Sequence, residues 1–140
     1  MKSFKKFKIE FINTLNLISE YKFYDCIKML KDLRKKGGRL FIIGVGGSAA
    51  NASHAVNDFR KICNIEAYCP SDNVSELTAR TNDDGFEYIF EDWFKTSKVN
   101  KKDLILIFSV GGGDLKKKIS VNIVNALKYA NKNKIKSICF

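Results

Sequence analysis

Two short apolar runs, each leading into a glycine-rich turn, constrain the possible folds of this chain more than any other feature. Residues 39–43 lead into a turn at residues 44–48, and residues 103–108 lead into three glycines at residues 111–113. A continuous apolar run of this length is typical of a strand that is buried on both faces, as in parallel sheets. Helical periodicity follows both turns. Repeated strand–turn–helix units predict an α/β fold, a three-layer sandwich around a mainly parallel sheet.

The rest of the chain fits one domain of this class. A length of 140 residues suits a single domain, with an N-terminal helix pair in residues 1–37 and an α/β core in residues 38–140. The last apolar run reaches the end of the chain without a covering helix, so we expect a fragment of a longer protein. Apolar periodicity predicts helices at residues 4–19, 26–36, 48–62, 74–81, 86–99 and 115–132, and strands at residues 39–43, 66–69, 103–108 and 135–140.

Composition excludes several classes of protein. No apolar run reaches the ~18 residues that a membrane helix needs, and no signal-peptide pattern follows the basic N-terminus. We therefore expect a cytoplasmic protein with no membrane partner. The four cysteines form no C-x-x-C pair and the chain has one histidine, which argues against a disulfide framework or a four-ligand zinc site.

The net charge of +10 is unevenly distributed. Residues 1–39 carry 11 basic and 4 acidic side chains, residues 40–100 carry 5 and 9, and residues 101–140 carry 9 and 2. The basic segments are mostly lysines on helical patterns, without aromatic residues between them. Solvated helix faces explain this pattern, and we expect no nucleic-acid partner.

The two glycine-rich turns predict a phosphate site. In open α/β sheets, ligands bind beyond the carboxyl ends of the strands. Glycines let the backbone approach a ligand closely, and the free N–H groups at a helix N-terminus favour an anion. A serine accompanies each turn, which predicts a pocket that binds a phosphate. The turn residues that we expect to contact it are Gly46, Gly47, Ser48, Ser109, Gly111 and Gly112.

The first turn also fits a dinucleotide-binding pattern. Residues 44–49 match G-x-G-x-x-A, which requires an acidic residue at the end of the next strand, about 20 residues on. Glu66 has the spacing but precedes its strand. Dinucleotide binding therefore ranks below sugar-phosphate binding, and it would predict thermal stabilisation by NAD.

His54 and Asp58 lie four residues apart, on one face of the helix that follows the first turn. At a rise of 1.5 Å per residue they lie roughly 9 Å and 15 Å along the helix axis from Ser48. A seven-carbon sugar whose phosphate binds at the turn extends about 7 Å from it. A lone helical histidine is more often a surface or packing residue, so the position of this pair is what makes it a candidate site.

Several motifs together resemble a known family. They are residues 44–58, Ser71-Asp72, Asn82-Asp83, Gly85-Phe86 and Phe108-Ser109. This set resembles the sugar isomerase (SIS) domain, and within it the phosphoheptose isomerase family. The resemblance covers nearly the whole chain, and its specific part is the Gly-Gly-Ser turn followed by a helix that carries His54.

The resemblance implies a flavodoxin-like strand order and a homotetramer with active sites at subunit interfaces. It implies isomerisation of sedoheptulose 7-phosphate to D-glycero-D-manno-heptose 7-phosphate through an enediol. It also implies that Ser48 and Ser109 hold the phosphate, and that Asn82 and Asp83 belong to the substrate site, with Asp83 on a sugar hydroxyl.

The same resemblance assigns roles to the helical pair. His54 corresponds to a zinc ligand in members that bind zinc, which makes Zn²⁺ the candidate cofactor. Asp58 corresponds to a glutamate that ligates the metal or moves the proton between two carbons. The family's second acid–base histidine and a metal-ligating glutamine belong to a helix beyond residue 140, so we expect this chain alone to lack full activity.

The sequence departs from the family at several positions. Val45 stands at an asparagine position, and Gly111 and Asp114 stand at positions of phosphate-binding serines. A carboxylate beside a phosphate is repulsive, so Asp114 is expected to point away, to pair with a lysine such as Lys117, or to indicate a different ligand. Asp58 is one methylene shorter than glutamate, which displaces a general base by about 1 Å. These departures favour the alternative function, a sugar-phosphate sensor without catalysis.

Two aromatic sets also have alternative interpretations. Phe4, Phe7 and Phe11 form a helical stripe that either packs against the sheet or, as the resemblance suggests, forms a subunit interface. The aromatic residues within 86–94 are interpreted as core rather than as a substrate platform.

Overall fold

The structure is a computed structural model and describes residues 2–140. It is an α/β fold. Its strands are β1 (Leu40–Gly44), β2 (Ala67–Tyr68), β3 (Leu104–Phe108) and β4 (Lys136–Cys139). Its α-helices are α1 (Lys2–Asn16), α2 (Glu20–Lys36), α3 (Gly47–Lys61), α4 (Val74–Asp83), α5 (Ile89–Thr96) and α6 (Val121–Lys132). A short 3-10 helix spans Pro70–Asp72.

The chain divides into two compact units, one up to Lys31 and one from Asp32 onward. In the first unit, Phe4, Phe7 and Phe11 of α1 are each more than half exposed, and the rings of Phe7 and Phe11 stack with centroids 6.1 Å apart. The stripe predicted from the periodicity is therefore present and open to solvent. Its use as a subunit interface stays a prediction.

The break between the first two helices lies earlier than predicted. We expected it at residues 21–24, but α1 ends at Asn16 and α2 begins at Glu20. The Ser19 hydroxyl accepts the N–H of Lys22 at 3.5 Å, in the position of a helix N-cap. The apolar spacing continues almost unbroken across the boundary, so periodicity alone misplaced it.

The four strands form one parallel sheet in the order β2-β1-β3-β4. This is the predicted flavodoxin-like order. The chain moves from β1 outward to β2, then returns to place β3 on the other side of β1 and β4 beyond it. The strand order therefore reverses between β1 and β3, and such a switch point is where α/β sheets bind ligands.

The two faces of the sheet are covered by different helices. Phe41 and Ile43 of β1 and Ile105 and Ile107 of β3 share one face and pack with the buried residues of α5 and α6. The alternate residues, such as Leu40 and Ile42, are also fully buried and face α3. Side chains alternate along a strand, so a run that is buried at every position requires helices on both faces. The predicted three-layer sandwich is confirmed.

The starts of β1 and β3 are joined by a nearly buried carboxylate. Asp103, 5% exposed, accepts hydrogen bonds from the backbone N–H and guanidinium of Arg39 and from the backbone and side-chain N–H groups of Asn100. The hydrogen bond to Asp103 raises the pKa of the Arg39 guanidinium. This joint lies at the amino edge of the sheet, opposite the glycine-rich turns.

Two predicted helices begin later than the periodicity suggests. The helix expected at residues 115–132 begins at Val121, because residues 114–119 form a separate loop that is closed by a backbone bridge between Asp114 and Ile119. The helix expected at residues 86–99 spans only Ile89–Thr96. In both cases the apolar residues at the helix start lie in a loop.

Gly44 lets α3 approach the sheet closely. A Cβ at this position would lie 2.5 Å from the backbone carbonyl of Ser48 and 2.8 Å from its Cβ. No flexible side chain is available to move aside, so the helix or the strand would have to shift.

We expect Gly44→Ala to lower the free energy of unfolding by about 1–3 kcal/mol, measured by urea denaturation. Gly47→Ala is the matched control, because a Cβ there meets no atom within 4 Å and the position is helical. The control should be neutral or slightly stabilising. Equal stability of wild type and Gly44→Ala would contradict the close approach.

Candidate functional site

The two glycine-rich turns lie side by side at the carboxyl edge of the sheet. Gly44, the last residue of β1, pairs in register with Phe108, the last residue of β3. The turns that follow these residues therefore leave from adjacent strands at the switch point. The central expectation from the sequence, that both turns serve one site, is consistent with this placement.

The first turn presents an open helix N-terminus. Gly46 has φ +61°, a left-handed conformation that suits glycine, and α3 begins at the next residue. No side chain caps this end. Within the described part of the chain, the Ser48 hydroxyl makes no hydrogen bond, so both the hydroxyl and the backbone N–H of Gly47 are available to a ligand.

The second turn is closed on itself. The Ser109 hydroxyl donates to the carbonyl of Gly112 at 2.9 Å, and Gly112 has φ +64°. A phosphate oxygen needs a donor, so Ser109 must rotate away from this carbonyl to bind one. Of the two predicted serines, only Ser48 is free to donate in this conformation.

Asp114 points into its own loop. Its carboxylate accepts the backbone N–H groups of Lys116 and Lys117 at 2.8 and 3.0 Å. Asp114 and Ile119 also exchange two backbone hydrogen bonds of 2.9 Å. The Asp114 carboxylate therefore pairs with the backbone N–H groups of two lysines, and not with a lysine ammonium group as one expectation had it. The negative charge is held within residues 114–119.

A cleft of about 600 Å³ opens at the same edge of the sheet. Its apolar lining comes from Val45 after β1 and from Leu115 after β3, together with two aromatic residues, Phe86 and Tyr88. Its polar lining comes from Glu87, Lys118, Ser120 and Asn122. A cleft of this size with few polar groups is typical of a small-molecule site.

The aromatic segment divides between core and cleft. Phe90, Trp93 and Phe94 are buried in the core as predicted. Phe86 and Tyr88 are 47% and 44% exposed and line the cleft. The interpretation of the whole set as core was therefore wrong for these two residues, because they precede α5 rather than belonging to it.

A smaller cavity of about 110 Å³ adjoins the first turn. Gly44, Val45, Gly46 and Ser71 are among the residues that line it. The Ser71 hydroxyl contacts the Cys69 thiol, with Oγ and Sγ 2.9 Å apart, and burial raises the pKa of that thiol. All four cysteines are free thiols, of which Cys69 is buried and Cys139 is exposed. Val45 and Phe86 line both this cavity and the larger cleft.

His54 and Asp58 form a pair on α3, as their spacing predicts. His54 Nε2 lies 3.3 Å from Asp58 Oδ2, and Asn57 donates to the other carboxylate oxygen at 3.2 Å. The side chains are 78% and 45% exposed. Neither residue lines the larger cleft or the smaller cavity.

Asn82 and Asp83 lie in the last turn of α4, not in a break of the chain as predicted. The Asn82 amide donates to the Asp83 carboxylate at 2.8 Å. Both are exposed and line neither the larger cleft nor the smaller cavity.

Glu66 does not support dinucleotide binding. It precedes β2, and its carboxylate accepts the hydroxyl of Tyr68 at 2.7 Å. This interaction raises the pKa of Tyr68. The dinucleotide pattern requires an acidic residue at the carboxyl end of this strand. The residues there are Cys69 and Pro70.

Comparison with known proteins identifies the family. No family model matches the chain. It is 31% identical to "Lincomycin biosynthesis protein LmbN" of Streptomyces lincolnensis over 69% of this chain and 37% of that protein. It is 33% identical to "Phosphoheptose isomerase 1" of Campylobacter jejuni over 74% of this chain and 54% of that protein. The chain belongs to the phosphoheptose isomerase family.

A solved structure shows the same fold. Phosphoheptose isomerase GmhA from Neisseria gonorrhoeae matches 99% of this chain and 71% of its own chain, with a TM-score of 0.83 and 22% identity. The chain spans about half the length of the curated phosphoheptose isomerases that it matches, for example 54% of the relative from Campylobacter concisus. No helix in residues 2–140 is long and apolar enough to cross a membrane.

Residues 2–140 do not provide a complete site for the zinc that is predicted for this member of the phosphoheptose isomerase family. These residues contain no group of three or more histidine, cysteine or acidic side chains that is able to hold a metal. His54 and Asp58 are two donors, whereas catalytic zinc sites use three protein ligands. Zinc therefore does not fit this chain alone, and we assign it no chemical step.

Three polar residues of the cleft were missed by the sequence analysis. They are Lys118, Ser120 and Asn122. A signal for one of them was present, because Ser120 directly precedes the apolar-periodic run of α6, where an N-cap serine is expected. Because we predicted a helix over residues 115–132, Ser120 was placed inside it and was not recognised as the residue before α6.

Proposed function

We propose that this chain is the substrate-binding half of a phosphoheptose isomerase, which binds sedoheptulose 7-phosphate and removes a proton from it. The observation that carries the proposal is the meeting of two serine-bearing glycine turns at the β1–β3 switch point, beside a cleft of about 600 Å³. Membership of the family supports the same substrate class. The substrate and the reaction are both part of the proposal.

The phosphate would bind where backbone N–H groups and hydroxyls converge. The Ser48 hydroxyl and the start of α3 supply donors from the first turn. Ser109 would supply another after its hydroxyl leaves the Gly112 carbonyl. The backbone at Gly111 and Gly112, which a Cβ would not crowd, would approach the same group. These donors favour an anion because they carry partial positive charge.

The proposed reaction is proton transfer through an enediol. Asp58 would take a proton from C1 of the ketose, and the electron pair of the C–H bond would form the C1–C2 double bond while the C2 carbonyl oxygen gains a proton, which gives the enediol. Protonation at C2 with loss of the proton of the C1 hydroxyl would then give the aldose. A base must lie within hydrogen-bond reach of its proton. The family resemblance implies that the second acid–base group comes from outside these 140 residues.

Zinc, the oligomeric state and the cellular location stay proposals. His54 and Asp58 would supply two ligands to a zinc that takes its others from outside this chain. The exposed aromatic stripe of α1 supports the predicted homotetramer. A cytoplasmic location is part of the same proposal.

A non-catalytic sugar-phosphate sensor is the second candidate function. The observation that favours it is the position of His54 and Asp58, which line neither the larger cleft nor the smaller cavity. A protein with this arrangement would bind the sugar phosphate in the cleft without proton transfer.

Calorimetric titration and hydrogen exchange test both functions. We expect sedoheptulose 7-phosphate to bind at least tenfold more tightly than sedoheptulose, because the donors at the turns contact the phosphate. In D₂O, mass spectrometry should detect deuterium at C1 of the bound ketose, with Zn²⁺ and after chelation measured in parallel. Tight binding without deuterium incorporation would favour the sensor. Equal affinity for the two sugars, or stabilisation by NAD alone, would overturn the phosphate site.

A further inference from the structure

One lysine of the loop between β3 and α6 reaches the cleft. The loop carries three consecutive lysines at residues 116–118, and Lys118 is the one that lines the cleft. No carboxylate in the described part of the chain lies within 4 Å of its ammonium group. Lys118 therefore brings an uncompensated positive charge to a site that already has the shape of a small-molecule pocket.

The loop geometry holds Lys118 in an unusual backbone conformation. Its φ is +52°, and that of Ser120 is +44°, a region that costs a residue with a side chain about 1 kcal/mol. The two backbone hydrogen bonds between Asp114 and Ile119 close the loop that contains Lys118 and ends directly before Ser120. The Asp114 carboxylate is occupied with backbone N–H groups, so the acidic residue of the loop does not neutralise Lys118.

The start of α6 adds two polar groups beside this lysine. Ser120 occupies the N-cap position but makes no side-chain cap, and its hydroxyl has no partner among residues 2–140. Asn122 is 2% exposed and lines the cleft. Its carbonyl oxygen accepts the N–H of Ile123 at 2.8 Å, while its amide nitrogen bonds to no described residue.

The Asn122 amide nitrogen is a further hydrogen-bond donor beside the cleft. The described residues contain no fully covered side-chain nitrogen or oxygen that lacks a hydrogen bond. The Asn122 nitrogen therefore keeps a small solvent contact, and the cleft is the space beside this residue. A nearly buried amide donor is costly unless something accepts its hydrogen bond. Water or a ligand oxygen in the cleft fills that role.

We infer that Lys118 is a specificity-determining residue that donates a charge-assisted hydrogen bond to the phosphate of the substrate, beside the donors of the two glycine-rich turns. The inference rests on the proposed function and deepens it. An ammonium, a hydroxyl and an amide N–H that line one cleft near the start of α6 suit a dianion with three free oxygens better than a carboxylate. Glu87, the acidic residue of the same cleft, suits the sugar hydroxyls and not the phosphate.

This arrangement explains how the chain tolerates glycine and aspartate at positions 111 and 114. Two hydroxyl donors are absent there, and the Ser109 hydroxyl is turned into its own loop. A single ammonium forms a stronger hydrogen bond to phosphate than a neutral hydroxyl does. Lys118 thus compensates for the missing donors with one charged group.

The test is calorimetric titration of sedoheptulose 7-phosphate and sedoheptulose into four versions of the chain. Lys118→Asn removes the charge and suits the left-handed conformation, whereas Lys118→Arg keeps the charge. Lys117→Asn is the matched control, because Lys117 lies next in sequence but does not line the cleft. Urea denaturation of each variant shows whether it is folded.

We expect Lys118→Asn to weaken binding of the sugar phosphate by roughly tenfold to hundredfold, without changing that of sedoheptulose. Lys118→Arg should bind within about threefold of the wild type, and Lys117→Asn should match the wild type. Raising the salt concentration should weaken the wild type more than Lys118→Asn. Wild-type affinity in Lys118→Asn, or an equal loss in Lys117→Asn, would overturn the role of Lys118 and leave the proposed function in place. If the wild type does not distinguish the two sugars, the proposed function fails and this inference fails with it.

Discussion

Replacement of Asp103 by alanine is expected to lower the free energy of unfolding by about 3 kcal/mol, which corresponds to roughly 10 °C in Tm for a chain of this size. The carboxylate accepts five hydrogen bonds, three from Arg39 and two from Asn100. Its removal leaves the Arg39 guanidinium, on a side chain that is 27% exposed, without its counter-charge. Removing the partner of a partly buried charge lowers the free energy of unfolding more than breaking an exposed ion pair does.

Thermal unfolding followed by circular dichroism measures this effect. Asp25→Ala is the control, because Asp25 is exposed on α2 and should change Tm by no more than about 2 °C. Asp103→Asn keeps the shape of the side chain and should fall between alanine and wild type. A Tm for Asp103→Ala within 3 °C of the wild type would contradict the structural role that we assign to this joint.

The two edges of the sheet have different roles, one in stability and the other in the proposed ligand binding. The amino edge holds the Arg39–Asp103 joint, which fixes β1 against β3 before either strand enters the core. The carboxyl edge holds the glycine turns, an uncapped α3 and two non-glycine residues with positive φ beside α6. Below its Tm, the Asp103→Ala variant should therefore bind sedoheptulose 7-phosphate as the wild type does. Stability and ligand binding are separable in this fold.

The core strands were predictable because local and tertiary preferences agree. The sequence of β1, LFIIG, and that of β3, LILIF, are apolar at nearly every position. Only a parallel sheet that is covered on both faces buries such runs. The strand order required family resemblance, since periodicity does not distinguish one arrangement of parallel strands from another.

The start of α6 was not predictable from periodicity. Leu115 and Ile119 match a helical spacing, but the Asp114 carboxylate binds the backbone N–H groups of Lys116 and Lys117 and gives this segment an alternative to the helix. Aspartate is known to compete with helix formation in this way. The loop that results is what brings Lys118 to the cleft.

The candidate site was predictable only where it depends on local spacing. The contact between His54 and Asp58 follows from their separation of four residues. The cleft is lined by three segments, at Val45, at residues 86–88 and at residues 115–122. Nothing local relates these segments, because their contact depends on the strand order.

Replacement of Asp58 by asparagine is expected to lower deuterium incorporation at C1 of bound sedoheptulose 7-phosphate by at least a hundredfold, with binding of the sugar within about threefold of the wild type. Asparagine keeps the size of the side chain but cannot accept a proton, and loss of a general base typically costs this factor or more. Glu87→Gln is measured beside it as the variant of the competing candidate base, because Glu87 is the carboxylate that lines the cleft. Incorporation that survives Asp58→Asn and disappears in Glu87→Gln would transfer the role of base to Glu87. In that case no residue of α3 after Ser48 would take part in the reaction, and the proposed phosphate site would be unchanged.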